Sequence, residues 1–152
     1  MKKEKKDTFP VYLAQTDTTA GLLSKDFRKL NRIKGRPENQ PILREVDSLE
    51  TLKEFARVPK KFRREIRKKR KVTYIYHPLQ TALRVVDEGL HYTFLKKYHW
   101  LYSTSANPTG KGFDPNWGKR VSDIIVEDRR GFFSAPPSPI FSIGKRRKKR
   151  KR

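Results

Sequence analysis

Val72-Thr73-Tyr74-Ile75-Tyr76-His77-Pro78-Leu79-Gln80-Thr81-Ala82-Leu83-Arg84-Val85-Val86 contains two strand-forming runs separated by a turn. Residues 72–76 are β-branched and aromatic, and His77-Pro78 stops them because proline cannot donate to a ladder. Residues 82–86 form the second run. Apolar runs of this kind suit a sheet covered by helices. Arg84, flanked by Leu83 and Val85, places a charge in a strand its neighbours mark as buried, so it demands an anionic partner. A substrate anion and a structural salt bridge both meet that demand.

Upstream, residues 11–14 read as a strand behind Pro10, running into a polar loop that reaches Gly21. Ser24 is placed to cap a helix through about Ile33, with Leu23, Phe27, Leu30 and Ile33 at near-helical spacing and Gly35 just past its end. Asp47-Ser48 starts a second helix with Leu49, Leu52, Phe55 and Ala56 on one face. Pro59 suits the first turn of a third, which only Phe62 and Ile66 anchor. Downstream the pattern predicts a short helix over 90–97, strands over 101–104 and 123–126, and a last, edge-like strand over 139–143. Strands interleaved with helices define an α/β layer fold.

The chain has 152 residues, 34% hydrophobic and 11% aromatic, which suits one domain that buries enough surface to fold. It has no cysteine and three histidines, excluding disulfides, thiolate metal sites and cysteine nucleophiles, and no metal site is assigned to its side chains. With no run of 18 apolar residues and no signal-peptide pattern, no membrane partner is expected and the default address is the cytoplasm.

The net charge of +22 is concentrated in two places. Residues 60–71 hold nine cations against Glu65 alone, and 145–152 hold eight cations in eight residues. A run of like charges with nothing apolar is expected to form a disordered tail. The expected organisation is therefore a basic lead over 1–10, a domain over 11–144 and a tail over 145–152. Lys60, Lys61, Arg63, Arg64, Arg67 and Lys68, with Lys145 and Arg146, are expected to meet the phosphates of RNA.

Four polar clusters follow strand or helix ends: Thr16-Asp17-Thr18, Lys34-Gly35-Arg36-Pro37, Arg84, and Ser103-Thr104-Ser105-Ala106-Asn107-Pro108. Pro37 pushes Arg36 out of the α region, and in an extended segment residues 34 and 36 point to the same side. Two cations then converge on one anion, and the arginine fork grips phosphate or carboxylate bidentately. Ser103, Ser105 and Asn107 add hydrogen-bonding groups without charge. Taken singly, Lys-Gly-Arg-Pro also reads as a helix stop and Ser-Thr-Ser-Ala-Asn-Pro as an ordinary turn.

Taken in order, Thr16-Asp17-Thr18-Thr19-Ala20-Gly21-Leu22, Lys34-Gly35-Arg36-Pro37, Ala82-Leu83-Arg84-Val85 and Ser103-Thr104-Ser105-Ala106-Asn107 resemble the YrdC-like threonylcarbamoyl-adenylate synthase family. The resemblance covers most of residues 11–143. It implies a twisted open mixed β-sheet with flanking helices and a basic concave cleft. There L-threonine, bicarbonate and ATP, with Mg²⁺, would become threonylcarbamoyl-adenylate and pyrophosphate, the product passing to threonylcarbamoyl-transferase proteins that modify tRNA. The implied ATP and phosphate set is Lys34, Arg36, Gln40, Ser105 and Asn107. The implied threonine set is Thr16, Thr18, Arg84, Ser103 and Ser138. The chain departs from the family in several places: Ala20 replaces an aromatic residue, Glu45 a frequent histidine, Gln40 a frequent asparagine, Lys69-Arg70-Lys71 a Pro-Gly-Pro, and Pro139 a threonine, and the usual helix ahead of the first strand is missing. The same departures and the excess charge suit a second reading, a YrdC-like domain without synthase activity that binds tRNA, rRNA or double-stranded RNA.

Overall fold

A computed structural model describes residues 9–152; the expected N-terminal lead lies largely outside the described residues. β1 (Tyr12–Gln15) and β2 (Ala20–Ser24) form an antiparallel hairpin with Gln15 opposite Ala20. The other strands are β3 (Arg44–Val46), β4 (Thr73–Tyr76), β5 (Thr81–Val85), β6 (Trp100–Ser105), β7 (Ile124–Val126), β8 (Ile140–Ile143) and β9 (Lys148–Arg150). They make one nine-stranded mixed sheet in the order β7-β1-β2-β6-β3-β5-β4-β8-β9. Flanking it are α1 (Phe27–Lys34), α2 (Leu49–Lys53), α3 (Arg63–Lys68), α4 (Gly89–Leu95) and α5 (Pro115–Val121), with a 3₁₀ turn at Lys60–Phe62 leading into α3. No helix among the described residues is long and apolar enough to cross a membrane.

Side-chain alternation decides what each face of the sheet does. Val11, just before β1, and Leu13 on it pack with Leu30 of α1 while Tyr12 and Ala14 pack with Leu95 of α4, so this strand is covered on both sides. On β4 and β5, Tyr74, Tyr76, Leu83 and Val85 join Leu52 and Ile66 in a third cluster. The opposite residues of those two strands, Thr73, Ile75, Ala82 and Arg84, line an open cleft.

Several boundaries differ from the sequence reading. β2 occupies the region expected to be loop and helix start, so Ser24 closes a strand and Asp26 caps α1, its Oδ1 accepting from the Lys29 N–H at 3.1 Å. β3 and α5 were not expected. The segment 145–152 is not a disordered tail: β9 pairs antiparallel with β8, which makes β9 the edge in place of β8. Backbone pairing needs no apolar side chain, and lysine is a usual occupant of a sheet edge.

Lys34 and Arg36 reach the same side through a helix end, not through an extended segment. Gly35 is left-handed (φ 78°), its N–H donating to the Arg32 carbonyl at 3.1 Å while the Arg36 N–H donates to the Asn31 carbonyl at 2.9 Å. This Schellman closure turns the chain directly between the two cations. A Cβ at Gly35 would meet nothing within 4 Å, so the cost of Gly35→Ala is conformational alone. It is expected to be about 1–2 kcal/mol, read as a lower denaturation midpoint; an unchanged midpoint would show that the turn relaxes freely.

Candidate functional site

The cleft has a volume of about 490 Å³ and collects segments far apart in sequence. Thr16 and Thr18 come from the β1–β2 loop, Lys34 and Arg36 from the end of α1, and Arg84 from β5. Ser103 and Ser105 come from β6, Asn107 from the turn behind it, and Ser138 from the approach to β8. Nine of the ten expected nucleotide and threonine residues therefore share one cavity. Gln40 does not line it: its carbonyl accepts from Asn31 Nδ2 at 2.9 Å, and its N–H donates to the Pro37 carbonyl at 3.1 Å. Gln40 instead shapes the loop behind α1.

Lys34 is 5% exposed and makes no salt bridge among the described residues. Its Nζ donates to the Ser105 carbonyl at 2.8 Å and approaches Ser105 Oγ at 3.4 Å and Asn107 Oδ1 at 3.5 Å. Asn107 is fixed in turn, with Nδ2 donating to the carbonyls of Pro108 and Lys111, each at 2.9 Å, and Oδ1 accepting from Ser105 Oγ at 2.5 Å. Burial disfavours the Lys34 ammonium and the Arg36 guanidinium repels it, bringing its pKa down to about 8. Arg36 donates to Thr104 Oγ1 at 3.4 Å, while its buried Nε has no partner. Burial lowers its pKa too. Two adjacent cations bonded only to neutral groups leave a local excess of positive charge facing the cleft. An anion is what satisfies it.

Arg84 is satisfied differently. Its Nη2 donates to Asp17 Oδ1 at 3.0 Å and to Glu45, while Nη1 lies 3.4 Å from the hydroxyls of Thr73 and Ser138. Glu45 stands directly across the β3–β5 ladder from Arg84 and also meets His91 Nε2 at 2.5 Å. Burial acts to raise the Glu45 pKa, but His91 and Arg84 beside it outweigh burial and hold it down to about 2. At Asp17 burial wins and the pKa is raised, against the opposing pull of Arg84. Of the two partners open to Arg84 in the sequence, the protein itself supplies one.

Glu45, His91, Thr73, Thr104 and Arg152 were not among the expected site residues. Arg152 enters the cleft because β9 returns the chain towards it, with Nε and Nη2 donating to the Ser138 carbonyl at 3.0 and 2.9 Å. Of the expected RNA residues, Arg63, Arg64, Arg67 and Lys68 are exposed on α3, whereas Lys60, Lys61, Lys145 and Arg146 line a separate groove.

The Sua5/YciO/YrdC family model, described as telomere recombination, matches residues 11–123. No significant match is found among curated proteins. Among solved structures, Pyrococcus abyssi Sua5 complexed with L-threonine superimposes with a TM-score of 0.73 at 16% identity, covering 88% of this chain and 47% of that one. Escherichia coli YciO gives a TM-score of 0.74 at 16% identity, covering 95% of this chain and 82% of that one. MTH1692 from Methanobacterium thermoautotrophicum gives 0.66 at 18% identity, covering 100% and 90%. The chain thus spans about half the length of the Sua5 structure it resembles, and at these identities the likeness is one of fold.

Proposed function

The chain belongs to the Sua5/YciO/YrdC family, and from that premise and the charge of its cleft we propose that it activates an amino-acid carbamate with ATP, forming threonylcarbamoyl-adenylate and releasing pyrophosphate. The observation that carries the reading is the carboxylate-free pair of buried Lys34 and half-buried Arg36 beside Ser105 and Asn107. In the proposed reaction the threonine amine adds to bicarbonate with loss of water. The carbamate oxygen then attacks the α-phosphorus, and the bond to pyrophosphate breaks. Lys34 and Arg36 would neutralise the charge gathering on the phosphates, and the hydroxyls of Thr16, Thr18 and Ser103 would orient threonine. The P. abyssi Sua5 structure holds L-threonine, which supports an amino acid in the corresponding cleft. Mg²⁺ enters with the nucleotide: among the described residues no three His, Cys, Asp or Glu side chains are grouped to hold a metal, and no step is assigned to the ion. The product would pass to a transferase acting on tRNA.

The test is pyrophosphate release from Mg-ATP and bicarbonate with and without L-threonine, beside Arg36→Ala. Threonine-dependent release, reduced about a hundredfold in the variant, is expected. One observation favours the second reading, a family domain without synthase activity: Arg84 is engaged by Asp17 and Glu45, leaving less positive charge for a threonine carboxylate. Absence of threonine-dependent release would select it.

A further inference from the structure

A second groove, of about 900 Å³, lies outside the cleft. It joins Arg57, Lys60 and Lys61, at the start of the α3 region, to Lys145 and Arg146, far away in sequence. The Lys61 Nζ donates to the Arg146 carbonyl at 3.0 Å and holds the two walls together. No acidic residue lines the groove, and none of these five cations makes a salt bridge among the described residues. β8 runs from Ile140 at the cleft to Ile143 at the groove, about 10 Å along the strand. β9 runs back beside it, with Lys148 opposite Ile143 and Arg150 opposite Phe141, and the chain then delivers Arg152 to the cleft. The cations of 145–150 thus lead from groove to cleft; Lys148 among them is paired with Glu65 at 3.0 Å, and the other five make no salt bridge among the described residues.

We propose that this groove and the β9 edge form a docking track for RNA, separate from the nucleotide cleft, on which one strand lies with its phosphates along these cations. Alternate residues of a strand recur about every 6.8 Å, a step comparable to that between successive phosphates. Pro59, Pro78 and Ile143 give the groove an apolar floor, and it is the five unpaired cations around them that favour RNA over a protein partner, because protein interfaces are depleted in lysine. Leu79, beside the groove, is the only large exposed apolar side chain near it among the described residues, which disfavours insertion into a lipid surface. The track does not depend on the reaction in the cleft.

The experiment measures binding of labelled oligouridylate to the full chain between about 50 and 200 mM salt. Joint replacement of Lys60, Lys61, Lys145 and Arg146 by Gln is compared with joint replacement of Lys96, Lys97, Lys119 and Arg120 by Gln, four exposed cations elsewhere. Both variants lose the same charge. The groove variant is expected to flatten the dependence of log affinity on log salt by about 3 and weaken binding on the order of a hundredfold, with little change in the other. Should the groove variant unfold, judged by its melting temperature, Lys145→Gln with Arg146→Gln is expected to flatten the slope by about half as much. Equal flattening in both four-site variants would reduce the track to a net-charge effect and overturn the proposal. So would tighter binding of wild-type protein to phosphatidylserine vesicles than to RNA, lost in the groove variant, which would assign the surface to lipid. Pyrophosphate release in the groove variant, followed in parallel, separates failure of the track from failure of the synthase reading.

Discussion

Arg84→Met is expected to destabilise the fold by about 3–5 kcal/mol, because it removes the counter-charge of Asp17 and leaves the buried Glu45 with His91 alone. Glu45 is fully buried and Asp17 largely so; among the described residues Arg84 is the one salt-bridge partner of Asp17, while Glu45 shares it with His91. Removing both members of the principal pair is a different perturbation. Arg84→Met combined with Glu45→Gln is expected to be more stable than Arg84→Met alone, since replacing a whole buried pair costs less than breaking it. The pH dependence carries a sign of its own. The Glu45 pKa falls from 4.5 to about 2 on folding, so its stabilisation is present above pH 4.5 and is lost as pH falls from 4.5 towards 2. Asp17, whose pKa burial raises, acts in the opposite sense and gains from protonation. In Arg84→Met the acid limb due to Glu45 is expected to shrink. Denaturant midpoints across this pH range measure all three effects, and a variant within about 1 kcal/mol of wild type would contradict the central role given to Arg84.

That arginine also marks how far the sequence can be read. A charge between Leu83 and Val85 announces that a partner exists, because burial of a lone guanidinium is too costly. It does not announce which partner. Glu45 lies on a three-residue strand, Arg44–Val46, whose two charged residues give it the appearance of loop. β2 was hidden for another reason: all of Ala20–Ser24 is buried, so the alternation that betrays a half-exposed strand is absent. α5 did leave a signal in Asp114-Pro115, a capping carboxylate ahead of proline in the first turn. Its short apolar side, mainly Trp117 and Val121, was too sparse to set a period. β9 left none, since its pairing with β8 lies in the backbone. The cleft was more legible than the topology because Lys34, Arg36, Ser105 and Asn107 are recognised by chemical type and order, which survive errors in the elements between them.

Lys34→Met is expected to lower kcat/KM for ATP on the order of a thousandfold without the loss of stability that usually follows removal of a buried bonded side chain. The lysine is held at a pKa of about 8 against an ordinary 10.5, its ammonium disfavoured by burial and by the Arg36 guanidinium. For such a group the fold gains stability as pH rises from 8 to 10.5, and below pH 8 the charge is carried at a cost. A bound triphosphate offsets that cost, and ATP affinity is expected to hold below pH 8 and to fall about tenfold per pH unit above it. Lys34→Arg separates charge from shape. Arginine stays charged throughout this range, so the alkaline fall in affinity should disappear even if the longer, forked side chain binds ATP less tightly at neutral pH. In Lys34→Met the rise in folding stability between pH 8 and 10.5 should vanish while stability at pH 7 equals or exceeds that of wild type. A clear loss of stability at pH 7, with ATP binding intact, would mean that Lys34 serves to tie α1 to β6 through Ser105, and the anion site would have to be built around Arg36 and Arg152 instead.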